Sequence, residues 1–170
     1  MSEDFQDHFK DEMKTIKSAN WSTPVPILAT WFGFGLVNPA PGTIGSIGAI
    51  PFIVGTLMFS GMIPYLFIGG FILFGGIIIC DLYEKQTGKE DAKEVVIDEV
   101  AGMWIACAPA LLNPVLLLIA FVLFRVFDIL KPGPIGWCDN NVKGGLGVML
   151  DDILAGIITG LIVWGLSFWI

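Results

Sequence analysis

Two pairs of adjacent carboxylates stand directly against apolar sequence: Asp98-Glu99 in "IDEVAGMW" and Asp151-Asp152 in "GVMLDDILAG". Ionisable groups placed at the ends of membrane segments are expensive in hydrocarbon, so they should face inward and be satisfied by one another, by water or by a metal. Asp128 and Asp139 add two further carboxylates in the stretch between the pairs. Several carboxylates with few soft ligands nearby describe a hard-cation site, and magnesium typically takes one or two of them together with waters and phosphate oxygens. His8 is the single histidine and lies in the N-terminal tail, which argues against zinc and against a phosphohistidine.

Cations lie beside these acids. Arg125, Asp128 and Lys131 repeat at i, i+3 and i+6, close to one helical face, and Lys143 precedes two glycines. The stretch "PGTIGSIGA" offers close backbone approach to an anion, with the hydroxyls of Thr43 and Ser46 at an apparent helix start. Its glycines serve close helix packing equally well. Asp152, Gly156 and Gly160 are spaced by four, so Asp152 should share a face with a small-residue stripe and Asp151 should turn about 100° away. Asp152 is therefore expected as the ligand facing the bundle, and Asp151 as its support or at the rim.

The elements that must position these groups are membrane helices. Of the 170 residues 55% are hydrophobic and only 15% charged, which excludes an ordinary soluble domain. The 16 acidic residues against 9 basic ones argue against a nucleic-acid partner. Cys80, Cys107 and Cys138 are odd in number and lie in or beside apolar runs, so they read as small buried hydrophobes. Residues 1–23 form a polar tail, charged throughout and unlike a signal peptide. Phe5, Phe9, Met13 and Ile16 recur in it at the spacing of an amphipathic helix.

Residues 24–170 are expected to form a single membrane-embedded, all-α domain. Ile44 to Ser60 and Ile63 to Cys80 read as two antiparallel membrane helices turning at Gly61, and Ile153 to Ile170 as a C-terminal one. The run Ala101 to Phe124 is either one span or a hairpin of two short helices broken at Asn113-Pro114, because proline removes a donor and disfavours helix in its predecessor. Charge favours the hairpin, which puts all nine basic residues on one side, as the cytoplasmic bias of Lys and Arg requires. Length favours one span, since each arm of the hairpin is short for a bilayer.

Three blocks, "WFGFGLVNPAPGTIGSIGAIPF", "IDEVAGMW" and "FRVFDILKPGPIGWCDNNVKGGLGVMLDDILAGI", resemble the signature blocks of the phosphatidylglycerophosphatase A family. That resemblance implies a small helical enzyme of the bacterial inner membrane, its active site on the cytoplasmic face. It implies a magnesium-dependent phosphatase that removes the terminal phosphate of phosphatidylglycerophosphate to give phosphatidylglycerol, with no obligate protein partner. Carried over by motif, the acidic positions are Asp98, Glu99, Asp128, Asp139, Asp151 and Asp152, and the basic ones Arg125, Lys131 and Lys143. Asp98, Glu99, Asp128 and Asp152 are expected to hold the metal, Arg125, Lys131 and Lys143 the phosphate. Asp139 or another of the carboxylates is expected to activate water, with an aspartyl-phosphate route left open. Cys138 lies outside the pattern and is not expected to be a nucleophile. A small cation transporter or structural subunit is the alternative, and it would favour carboxylates at several depths rather than on one face.

Overall fold

In the computed structural model residues 13–170 are described, and they are helical, with no strand among them. The amphipathic segment proposed for the tail therefore falls mostly outside the described residues, and its last part, 13–18, is helical. The elements that follow are α1 (Pro24–Ala29), α2 (Pro41–Ser60), α3 (Met62–Thr87), α4 (Ile97–Cys107), α5 (Pro114–Leu130), α6 (Pro134–Asn141) and α7 (Gly144–Leu166).

Three of these, α2, α3 and α7, are long and apolar enough to cross a membrane. Their outward faces carry large apolar side chains such as Phe59, Phe67 and Phe71, more than two-thirds exposed, which suits a lipid surface and not water. Gly61 sits between α2 and α3 with a positive φ of 79°, a turn a side chain would strain. The third helix runs past the apolar segment through "DLYEKQT" and stops at Gly88, whose left-handed conformation ends it.

The run Ala101 to Phe124 is broken as the hairpin reading requires. α4 ends at Cys107, a short 3-10 turn follows, and α5 begins at Pro114, where the missing N–H of proline costs nothing. Asn113 caps it, its Oδ1 accepting from Val115 N at 3.0 Å and Leu116 N at 3.3 Å. At 11 and 17 residues, the two helices are about 16 and 25 Å long, and neither matches a full hydrocarbon core. Glu99 near the start of α4 and Arg125 near the end of α5 lie 3.9 Å apart, so both ends of the hairpin return to one side.

Helix α4 sits in the middle of the bundle, packed by α2, α3, α5 and α7. Its contact with α7 is made by bare backbone: a Cβ on Gly156 would meet the backbone of Gly102, and one on Gly102 would meet Asp152 O at 2.7 Å. The small-residue stripe of α7 thus does bring that helix against α4 on the Asp152 face. Phe124 of α5, fully buried, closes over Gly102 from the other side. Tyr65 of α3 and Trp104 of α4 stack with centroids 5.0 Å apart and exchange hydrogen bonds with each other's carbonyls, Trp104 Nε1 donating to Tyr65 O at 3.0 Å.

Two boundaries depart from the sequence reading. Helix α7 begins at Gly144, well before Ile153, so Asp151 and Asp152 lie inside the helix and not at its mouth. Its first turn is fastened from outside: Asp81 of α3 accepts from Gly145 N at 2.5 Å, and Glu90 accepts from Gly144 N at 3.3 Å. The stretch between Lys131 and Lys143, for which no helix was expected, contains helix α6, which begins at Pro134 and carries Asp139.

Candidate active site

A cavity of about 270 Å³ opens where α4, α5, α6 and α7 meet, and its walls are mainly charged. Asp98, Glu99, Asp128, Asp139, Asp151 and Asp152 all line it, joined by Lys131 and Lys143, so eight of the residues expected to do chemistry share one space. Glu90 and Asp91, at the rim, were not singled out from the sequence because they lie in an ordinary charged loop.

The first turn of α4 supplies Asp98 and Glu99, where acidic side chains suit the positive end of a helix dipole. Asp98 Oδ1 also accepts from Glu99 N at 3.0 Å. Across from them, α7 presents Asp152, 3% exposed. Oxygens of Asp98, Glu99 and Asp152 lie within 4.8 Å of one another. Glu99 Oε2, Asp151 Oδ1 and Asp152 Oδ1 are buried with no hydrogen-bond partner. Unpaired buried carboxylate oxygens are costly, and an all-oxygen cluster of this kind fits a hard divalent cation such as magnesium or calcium. Asp128, expected among the ligands, lines the cavity but stands outside this group of three, its Oδ2 bonded to Arg125 Nη1 at 2.5 Å.

Asp151 turns away from Asp152, as a 100° step requires, but it is not a rim residue. It is 7% exposed, and its Oδ2 lies 2.7 Å from Lys131 Nζ. Lys131 also donates to Asp139. Lys131 is the C-cap of α5 in the left-handed region, φ 44°, so it leaves the helical face shared by Arg125 and Asp128, and its side chain reaches α6 and α7 instead. Burial works against its ammonium, but the hydrogen bonds to Asp139 and Asp151 outweigh that and raise its pKa above the ordinary lysine value. Lys143 is different: it is largely exposed at the rim, with Glu90 Oε1 at 3.8 Å.

The remaining expected phosphate ligands do not line the cavity. Arg125 lies behind it, held by Asp128, by Glu99 at 3.9 Å and by Ser46 Oγ at 3.4 Å. Ser46 is fully buried and donates to Gly42 O at 2.8 Å, while Thr43 is half-buried on α2 and away from the lining. The backbone N–H groups of Gly144 and Gly145, the two glycines after Lys143, are taken by Glu90 and Asp81.

Fold and site together define a helical membrane protein with an acidic, lysine-containing cavity at one end of its spans. Residues 27–167 match the family described as Phosphatidylglycerophosphatase A. The chain is 36% identical over 162 residues to the phosphatidylglycerophosphatase A of Haemophilus influenzae, covering 93% of this chain and 98% of that one. It is 39% identical over 147 residues to the Escherichia coli protein of the same name, covering 84% and 83%. No solved structure matches it. The chain belongs to the phosphatidylglycerophosphatase A family.

Proposed function

We propose that this protein is a magnesium-dependent lipid phosphatase that hydrolyses the terminal phosphate of phosphatidylglycerophosphate, leaving phosphatidylglycerol and inorganic phosphate. The observation that carries the reading is a single cavity holding both unpaired carboxylate oxygens and a lysine fixed between two aspartates. That combination suits a divalent cation and a phosphate monoester together. The site lies at the polar ends of the membrane helices, where a lipid headgroup can enter while its acyl chains stay beside the exposed apolar faces. The bias of basic residues to this end supports the cytoplasmic face of a bacterial inner membrane.

In this reading Asp98, Glu99 and Asp152 hold the magnesium, with Asp128 the nearest further carboxylate. When bound, the ion neutralises charge on the phosphoryl oxygens. Lys131 binds and orients the phosphate, and Lys143 meets the anionic headgroup as it enters. Asp151, with one oxygen on Lys131 and the other free, orients water and accepts its proton as the water oxygen attacks phosphorus and the bond to the glycerol oxygen breaks. The departing oxygen takes a proton from solvent at the open mouth. Asp139 keeps Lys131 in place from α6.

Purified protein in detergent, given phosphatidylglycerophosphate and magnesium, is expected to release phosphate and phosphatidylglycerol in equal amounts, and a chelator to stop it. Intact, folded protein that releases neither would overturn the reading.

A further inference from the structure

Arg125 is expected from sequence among the phosphate ligands, yet it does not line the cavity; its Nη1 meets three protein groups, and its Nε is buried without a partner. Its Nη1 lies 2.5 Å from Asp128 Oδ2, 3.9 Å from Glu99 Oε1 and 3.4 Å from Ser46 Oγ. Ser46 passes the connection on by donating to Gly42 O. Gly42 belongs to the same arrangement: a Cβ there would land on the Glu99 carboxylate, with its carboxyl carbon at 3.1 Å and Arg125 Nη1 at 3.3 Å. One helix start, one helix end and the first turn of α4 therefore converge behind Glu99. The Glu99 and Asp98 side chains are hydrogen-bonded to each other, and Arg125 is the cation that stands beside the Glu99 carboxylate.

We infer that Arg125, Ser46 and Gly42 form a positioning unit that aims the Glu99 carboxylate into the acidic cavity, and that Arg125 is not a phosphate ligand. The inference rests on the reading of Asp98, Glu99 and Asp152 as a divalent-cation site. Partners that orient a ligating carboxylate govern metal affinity even though they never touch the ion, and losing one typically costs about tenfold or more. The "GTIGS" stretch, read from sequence as a phosphate cradle or a packing surface, thereby acquires a third role, support for a ligand on another helix. A glycine at position 42 leaves room for the carboxylate, and a hydroxyl at 46 holds the guanidinium at its working height.

Two substitutions keep the charge of the site unchanged, so a change in cation affinity reports geometry: Arg125→Lys, which removes the planar fork, and Ser46→Ala, which removes its anchor. Manganese binding by the purified detergent-solubilised protein, read from the electron paramagnetic resonance signal of the free ion, is expected to weaken about tenfold in Arg125→Lys and several-fold in Ser46→Ala. Inhibition by inorganic phosphate at saturating manganese should stay within about twofold of wild type in both. Unchanged manganese affinity with weakened phosphate inhibition in Arg125→Lys would make Arg125 a phosphate ligand and overturn the inference, as would no change in either quantity. Should Arg125→Lys fail to fold, Ser46→Ala decides alone, and unchanged manganese affinity there overturns it. Failure of the phosphatase reading looks different: wild-type protein that binds manganese but releases no phosphate from the lipid.

Discussion

Lys131 Nζ and Asp151 Oδ2 lie 2.7 Å apart, joining the end of α5 to the second turn of α7 in the wall of the cavity. Because the ammonium's pKa is raised by Asp139 and Asp151 despite burial, the stability of this contact is fully present below the ordinary lysine value of about 10.4. It is lost only as pH rises further, through the raised folded-state value. Lys131→Met is therefore expected to lower the melting temperature by the same amount at pH 7 and pH 9, and the gap should close only in stronger alkali. Thermal unfolding in detergent at the three pH values checks this, and a gap already halved at pH 9 would be inconsistent with it. Phosphate release by the same variant should fall about a hundredfold, the usual scale for a lost charge-stabilising donor.

Close packing of α4 on α7 sets the position of Asp152. A Cβ on Gly156 would sit 2.5 Å from Gly102 O and 3.0 Å from its Cα, and both obstacles are backbone. Gly156→Ala should destabilise by about 1–3 kcal/mol, the cost of overpacking, and weaken manganese binding because Asp152 is one turn away. Gly75→Ala, on α3 with nothing within 4 Å of the new methyl, should leave both unchanged. Equal behaviour of the two variants would contradict the packing argument.

The return of both hairpin ends to one side is a topological statement. Against a background in which Cys80, Cys107 and Cys138 are replaced by alanine, cysteines placed at Lys85 and Asn140 should react with an impermeant maleimide from the same side of the membrane. A cysteine at Gly61 should react from the other side. Labelling of positions 85 and 140 from opposite sides would mean that the Ala101 to Phe124 run crosses the bilayer once.

What could be read from sequence was whatever local chemistry dictates. Pro114 with its predecessor Asn113 breaks the apolar run by itself, and the capping bonds of Asn113 are made to its own next turn. Likewise the spacing of Asp152, Gly156 and Gly160 is a property of any helix, so the facing of Asp152 followed from it. The start of α7 did not, because "GGLGVML" is a poor helix by propensity and is fastened by Asp81 and Glu90 from other segments. Lys131 was misplaced for a related reason: its left-handed backbone takes it off the face that i, i+3 and i+6 spacing assigns it. Arg125 and Ser46 were expected from sequence to bind phosphate, and only the fold shows that they meet each other, 79 residues apart, with Arg125 beside Glu99.

Asp152 is the carboxylate that α7 contributes to the three-membered cluster. The most direct test compares wild type with Asp152→Asn in detergent, following phosphate release from phosphatidylglycerophosphate over a magnesium titration. The same samples are checked for folding by size-exclusion chromatography and thermal unfolding. The expected result is a folded variant whose turnover is reduced by about a thousandfold at every magnesium concentration, since a neutral amide replaces a charged ligand at the reacting centre. Near-normal turnover by the folded variant would contradict the account.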